Sequence, residues 1–116
     1  MNHPFQKPMP ENALPPEEVI IEDLRVEPWE DMTRLKIFVK ISPFQKPANL
    51  HFELFNQEKK KLTEVAIIEN TEIQFVFTIH LKSTAETGEY QLKASLDYGE
   101  DFGVTNSKTI NFSLLS

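Results

Sequence analysis

From Val19 to Leu114 apolar and polar residues alternate with a period of two, broken by short polar or proline-containing stretches. Successive side chains of a strand point to opposite faces, so each such run reads as a strand that buries one face and wets the other. Leu35, Ile37, Val39 and Ile41 share one face, with Lys36, Phe38 and Lys40 on the other. Leu50, Phe52 and Leu54 alternate with His51, Glu53 and Phe55, and the strongest run sets Ile73, Phe75, Phe77, Ile79 and Leu81 against Gln74, Val76, Thr78 and His80. Tyr90, Leu92, Ala94, Leu96 and Tyr98 form a further inward set, and Ile110, Phe112 and Leu114 close the series. Two runs are weaker. In VIIEDLRV, Ile20, Glu22, Leu24 and Val26 are expected to face the core and Val19 and Ile21 the outside, whereas Val65 to Ile68 form a continuous apolar run that fixes no register.

Seven short strands with turn residues between them and no helical periodicity predict an all-β fold, a seven-stranded antiparallel sandwich. The expected grouping places strands one, two and five in one sheet and strands three, four, six and seven in the other. Pro43 and Pro47 bracket the second connection, Asn56 to Lys61 and Glu69-Asn70-Thr71 supply two more turns, and Thr87-Gly88 precedes the sixth strand. Proline cannot donate to a ladder and belongs at such strand ends.

The segment Thr87-Gly88-Glu89-Tyr90-Gln91-Leu92 resembles the tyrosine corner of immunoglobulin-like and fibronectin type III-like sandwich domains, with a Gly, a Tyr two residues on and a core residue two further on. The resemblance implies an Ig-like sandwich over residues 18–116. It also implies a structural Tyr90 whose hydroxyl reaches backbone between Ser83 and Glu86. Leu92 stands where antibody domains carry a disulfide Cys, and Leu50 and Phe52 stand where they carry a core Trp, so the likeness is to the broad sandwich class.

Composition divides the chain. Five of its 8 prolines, namely Pro4, Pro8, Pro10, Pro15 and Pro16, fall in the first 16 residues, which marks 1–17 as a flexible proline-rich leader. The 116 residues suffice for one core. With 12 Lys+Arg against 18 Asp+Glu the net charge is −6, and no basic stripe of the kind that phosphate backbones require is present. Nucleic acid is therefore not an expected partner. No run approaches the ~18 apolar residues of a membrane span, so a soluble chain without membrane insertion is expected. The absence of Cys excludes disulfides, zinc-thiolate sites and Cys nucleophiles.

Chemistry-bearing residues are sparse. His3 lies in the leader, while His51 and His80 fall on different sheets and cannot meet; no triad or phosphate loop is apparent, so no catalytic residue, metal or cofactor is assigned. The segment from Asp97 to Gly103 gathers Asp97, Glu100 and Asp101 with two glycines, an oxygen-rich loop that would suit calcium only if further ligands joined it. Pro4-Phe5-Gln6-Lys7-Pro8 recurs as Pro43-Phe44-Gln45-Lys46-Pro47, and both copies are expected at the sandwich end that carries this acidic loop. Phe44, Lys46, Asp97, Glu100 and Asp101 are accordingly the loop-end candidates. On the outer face of the first sheet Val19, Ile21, Phe38 and Val76 are the partner-contact candidates, since a contiguous apolar patch rimmed by polar groups marks a contact surface. Trp29 in the first turn is expected to fold over the base of the core. The Asn111-Phe112-Ser113 sequon lies mid-strand, where glycosylation is disfavoured.

The function these features lead to expect is a non-catalytic interaction or structural module whose partner is another protein or a second copy. The alternative is a module for a small ligand, calcium or carbohydrate, bound at the loop end.

Overall fold

The computed structural model describes residues 12–81 and 86–114. One 3-10 turn, Pro16–Glu18, precedes seven strands: β1 Ile21–Pro28, β2 Arg34–Ile41, β3 Ala48–Phe55, β4 Lys61–Asn70, β5 Gln74–His80, β6 Gly88–Asp97 and β7 Val104–Leu114. All pairings between these strands are antiparallel, and an isolated parallel bridge joins Leu14 to Phe44. The strands form a three-stranded sheet in the order β1-β2-β5 and a four-stranded sheet in the order β4-β3-β6-β7.

The inner faces meet as the alternation dictates. Leu35, Ile37, Val39 and Ile41 of β2 are buried against Leu50, Phe52 and Leu54 of β3 and Leu92, Ala94 and Leu96 of β6. Fully burying an aliphatic or aromatic side chain of this size contributes about 1.5–3 kcal/mol, so the three central strands dominate the stability of the fold. The Phe52 and Phe77 rings sit 4.7 Å apart and tie the two sheets together.

β1 departs from the simple alternation. Ile21 lies opposite Ile41 and Asp23 opposite Lys40, so two residues of β1 face one step of β2, which is a β-bulge. The bulge places Val19 (1% exposed), Ile21 (5%) and Leu24 in the core and turns Ile20 (47%) and Glu22 outward. Val19 and Ile21 therefore do not belong to the outer face. Strict alternation would have buried the Glu22 carboxylate without a partner, at a cost of several kcal/mol. The extra residue avoids this, and Glu22 instead approaches Lys40 at 3.7 Å.

Two further differences have local causes. Ile73 is more exposed than its inward position suggests, because it precedes β5 at the margin of the three-stranded sheet; its carbonyl still accepts from the Ile41 N–H at 2.8 Å. β7 starts at Val104, six residues before Ile110, because polar Asn106 is held there by accepting the Ile21 N–H at 2.9 Å. The β1 edge consequently packs along β7 and β6 and closes that side of the sandwich.

Candidate functional site

The outer face of the three-stranded sheet is centred on β2, where Arg34, Lys36, Phe38 and Lys40 alternate with the buried set. Register places Phe38 between Arg25 of β1 and Val76 of β5. The Arg25 guanidinium lies 4.9 Å from the centre of the Phe38 ring and the Lys36 ammonium 5.3 Å, so the ring's negative quadrupole attracts two cations. Arg25 is oriented by Asp23 at 3.1 Å. Val76, 48% exposed, extends the apolar surface to the sheet margin. Of the four contact candidates on this face the structure brings together Phe38 and Val76. It adds a cationic stripe that hydropathy alone did not single out, although the alternation of Arg34, Lys36 and Lys40 around Phe38 is visible in the sequence.

At the foot of this sheet Trp29 does not cover the core. Its ring is half exposed and lies beneath the Arg34 guanidinium, 4.6 Å from it. The same turn is braced by Asp31, which accepts from both the hydroxyl and the N–H of Thr33; these bonds hold its carboxyl below the usual range.

The loop end is built from the second PFQKP copy. Leu14 donates its N–H to the Pro43 carbonyl at 3.0 Å and accepts the Gln45 N–H at 2.9 Å, while the Gln45 side-chain amide donates to the Ala13 carbonyl at 3.0 Å. Phe44 packs against the core, and Tyr98 donates its hydroxyl to the Lys46 carbonyl at 3.1 Å. Burial pushes the Tyr98 phenol above its ordinary pKa. The Lys46 ammonium stands 3.6 Å from Asp101. The first copy, Pro4 to Pro8, lies outside the described residues.

The acidic loop turns on Gly99 and Gly103, both at positive φ, and Gly103 donates to the Gly99 carbonyl at 2.7 Å. Asp97 accepts the Gly99 N–H at 2.8 Å through one oxygen and faces His51 Nε2 at 3.2 Å through the other. Glu100 is exposed. Asp97 and Asp101 therefore serve different partners, and no group of three His, Cys, Asp or Glu residues converges as a metal shell among the described residues. Phe102, 44% exposed, meets Tyr98 edge-on with ring centres 6.3 Å apart.

The opposite end carries a cleft of about 420 Å³ between the β3–β4 turn, the end of β5 and the start of β6, lined by Gln57, Lys60, His80, Glu86, Glu89 and Tyr90 among others. Tyr90 donates its hydroxyl to the Glu86 carbonyl at 2.6 Å. Burial, and secondarily the Glu86 charge, push its pKa up. Gly88 stands at φ +145°, and a Cβ there would come within 2.8 Å of the Gln57 side chain.

No family model and no curated protein matches the sequence. Solved structures share the fold. A family 76 glycoside hydrolase from a bovine Bacteroides thetaiotaomicron strain superposes with a TM-score of 0.65 at 14% identity, over 82% of this chain. The β-glucuronidase of Ruminococcus gnavus superposes with a TM-score of 0.53 at 13% identity, over 84% of this chain. The chain spans only 20% of the first enzyme and 16% of the second, so the likeness is to one part of each and is a likeness of fold.

Proposed function

We propose that this chain is a non-catalytic recognition module of the immunoglobulin-like sandwich type, working by surface complementarity through the outer face of its three-stranded sheet. The observation that carries this reading is the stripe Arg34, Lys36, Phe38 and Lys40 on the central strand, with Val76 beside it, in a chain of net charge −6. A cationic and aromatic stripe on the central strand, flanked by Asp23 and Glu27 of β1, suits an acidic protein surface that replaces Glu22 at Lys40, because Arg and aromatic residues are the side chains that anchor contacts. Local pairing of the ionisable side chains is a structural use for them: His51 is engaged by Asp97, and Lys61 by both Glu53 and Glu64.

The test is capture from the source lysate by the wild type beside a Phe38→Glu/Lys40→Glu double variant whose fold is verified by circular dichroism. A protein retained by the wild type and lost by the variant is the expected result. Equal retention would remove this face from the account.

A second reading, a carbohydrate-binding module acting at the loop end, is favoured by the fold's occurrence within two glycoside-cleaving enzymes and by the exposed Phe102 ring beside Lys46 and Asp101. Calorimetric titration with soluble polysaccharides discriminates the two. Binding heat abolished by Phe102→Ala would favour the sugar, and an absence of heat would leave the protein-recognition reading.

A further inference from the structure

The four outer strands of the two sheets are not equally protected against pairing with another chain. β1 carries Glu22, Asp23, Arg25, Glu27 and Pro28 and is bulged. β4 carries Lys61, Glu64 and Glu69 and is paired irregularly at two places. β7 is also irregular where it meets Asp97, lies against β1, and sends its Lys108 ammonium to the Glu22 carbonyl at 3.4 Å. These are the devices by which natural sheets blunt their edges.

β5 has none of them. Ile73 to Leu81 is a run of nine residues without Asp, Glu, Lys, Arg, Pro or Gly, and its register with β2 is unbroken from Gln74 to His80. Among the described residues no strand lies on its far side.

The direction of its free backbone groups follows from the bonds it makes. Ile41 donates to the Ile73 carbonyl at 2.8 Å and Leu81 donates to the Thr33 carbonyl at 2.9 Å. With Phe77 opposite Ile37 in the same register, the odd-numbered residues of β5 are those that exchange bonds with β2. Bonded positions alternate in an antiparallel pair, so Gln74, Val76, Thr78 and His80 direct their N–H and C=O groups to the open edge.

We propose that this edge pairs with the same edge of a second copy, antiparallel and centred on Phe77, to give a continuous six-stranded sheet. The pairing goes beyond the sheet-face reading, since it uses backbone groups and needs no outside partner. The centre is fixed by the strand's own midpoint: it overlaps all of Gln74–His80 and matches outward-facing backbone groups with one another. Val76 then lies opposite Thr78 of the second copy and Gln74 opposite His80, while Phe75 meets Ile79 on the inner face. β-branched and aromatic cross-strand pairs of this kind stabilise a sheet, and no like charges face each other. Charge selects the same place. Two molecules of net −6 repel over most of their surfaces and least where nine successive residues are uncharged.

The experiment uses the full chain. Sedimentation equilibrium at about 100 μM, where a micromolar dimer is nearly all associated, is expected to give twice the chain mass. Val76→Pro removes an N–H that points away from β2 and is expected to give a folded monomer. Thr78→Lys, which leaves every backbone group in place, gives the same readout if the proline variant does not fold. Because the chain has no native Cys, Val76→Cys with Thr78→Cys is expected to form an oxidised dimer that neither single variant forms. A wild-type monomer, or a dimer that survives both edge variants, overturns the pairing. A monomer that still retains a partner through Phe38 overturns it without touching the proposed function.

Discussion

At the scale of single residues, Tyr90 holds two strands' worth of geometry with one hydroxyl. Its donation to the Glu86 carbonyl fixes the approach to β6, and its ring stacks on Phe112 of β7 with centres 5.8 Å apart. Tyr90→Phe keeps the stacking and loses the bond, so it is expected to lower unfolding free energy by about 1 kcal/mol in urea melts without changing the fold. The two buried phenols also make stability depend on pH. Both folded-state pKa values are raised above the ordinary tyrosine value, Tyr90 by burial and then the Glu86 charge, Tyr98 by burial. The neutral form is thus bound more tightly in the folded state. The corresponding stability is present in full below the unfolded pKa of about 10 and is lost as pH rises through the higher folded values. Urea melts from about pH 8 to 11 are expected to show a fall at the alkaline end that is shallower in Tyr90→Phe/Tyr98→Phe.

At the scale of elements, the bulge in β1 decides which of two adjacent isoleucines carries the fold. Ile21→Ala is expected to cost about 2–4 kcal/mol, as large-to-small changes in a packed core do. Ile20→Ala, on the outside, is expected to stay within about 0.5 kcal/mol of the wild type. The opposite ranking would mean that β1 runs in strict alternation. This strand also marks the limit of reading the fold from sequence. Period two defines β2, β3 and β6 because both of their neighbours and one whole face are fixed by the same sheet. A single inserted residue inverts every side chain that precedes it, and period alone carries no signal for it. A signal existed in Glu22, whose carboxylate would have been buried by unbroken alternation. β7 begins ahead of its alternating apolar residues for the related reason that Asn106 gains its place through a bond to Ile21, 85 residues away in sequence. The candidate site was legible in the same partial way: Phe38 and Val76 follow from alternation, whereas the cations around Phe38 become a feature only once β1 and β5 are set on either side of β2.

At the scale of the whole molecule, the sandwich has one closed side and one available side. Bonds of Asn106 and Lys108 join β7 to β1, while among the described residues no strand pairs with the far side of β5, which borders the Phe38 face. The proposed recognition therefore uses the β2–β5 side, whereas at the loop end Asp97 and Asp101 are engaged with His51 and Lys46. Backbone amide hydrogen exchange, followed residue by residue as protein concentration is raised, tests that assignment most directly. At low concentration Phe75, Phe77 and Ile79 should exchange slowly and Gln74, Val76, Thr78 and His80 rapidly; at high concentration all seven should be protected. Protection that instead develops across residues 44–46 and 97–103, with the alternation in β5 unchanged, would contradict the account and move the contact surface to the loop end.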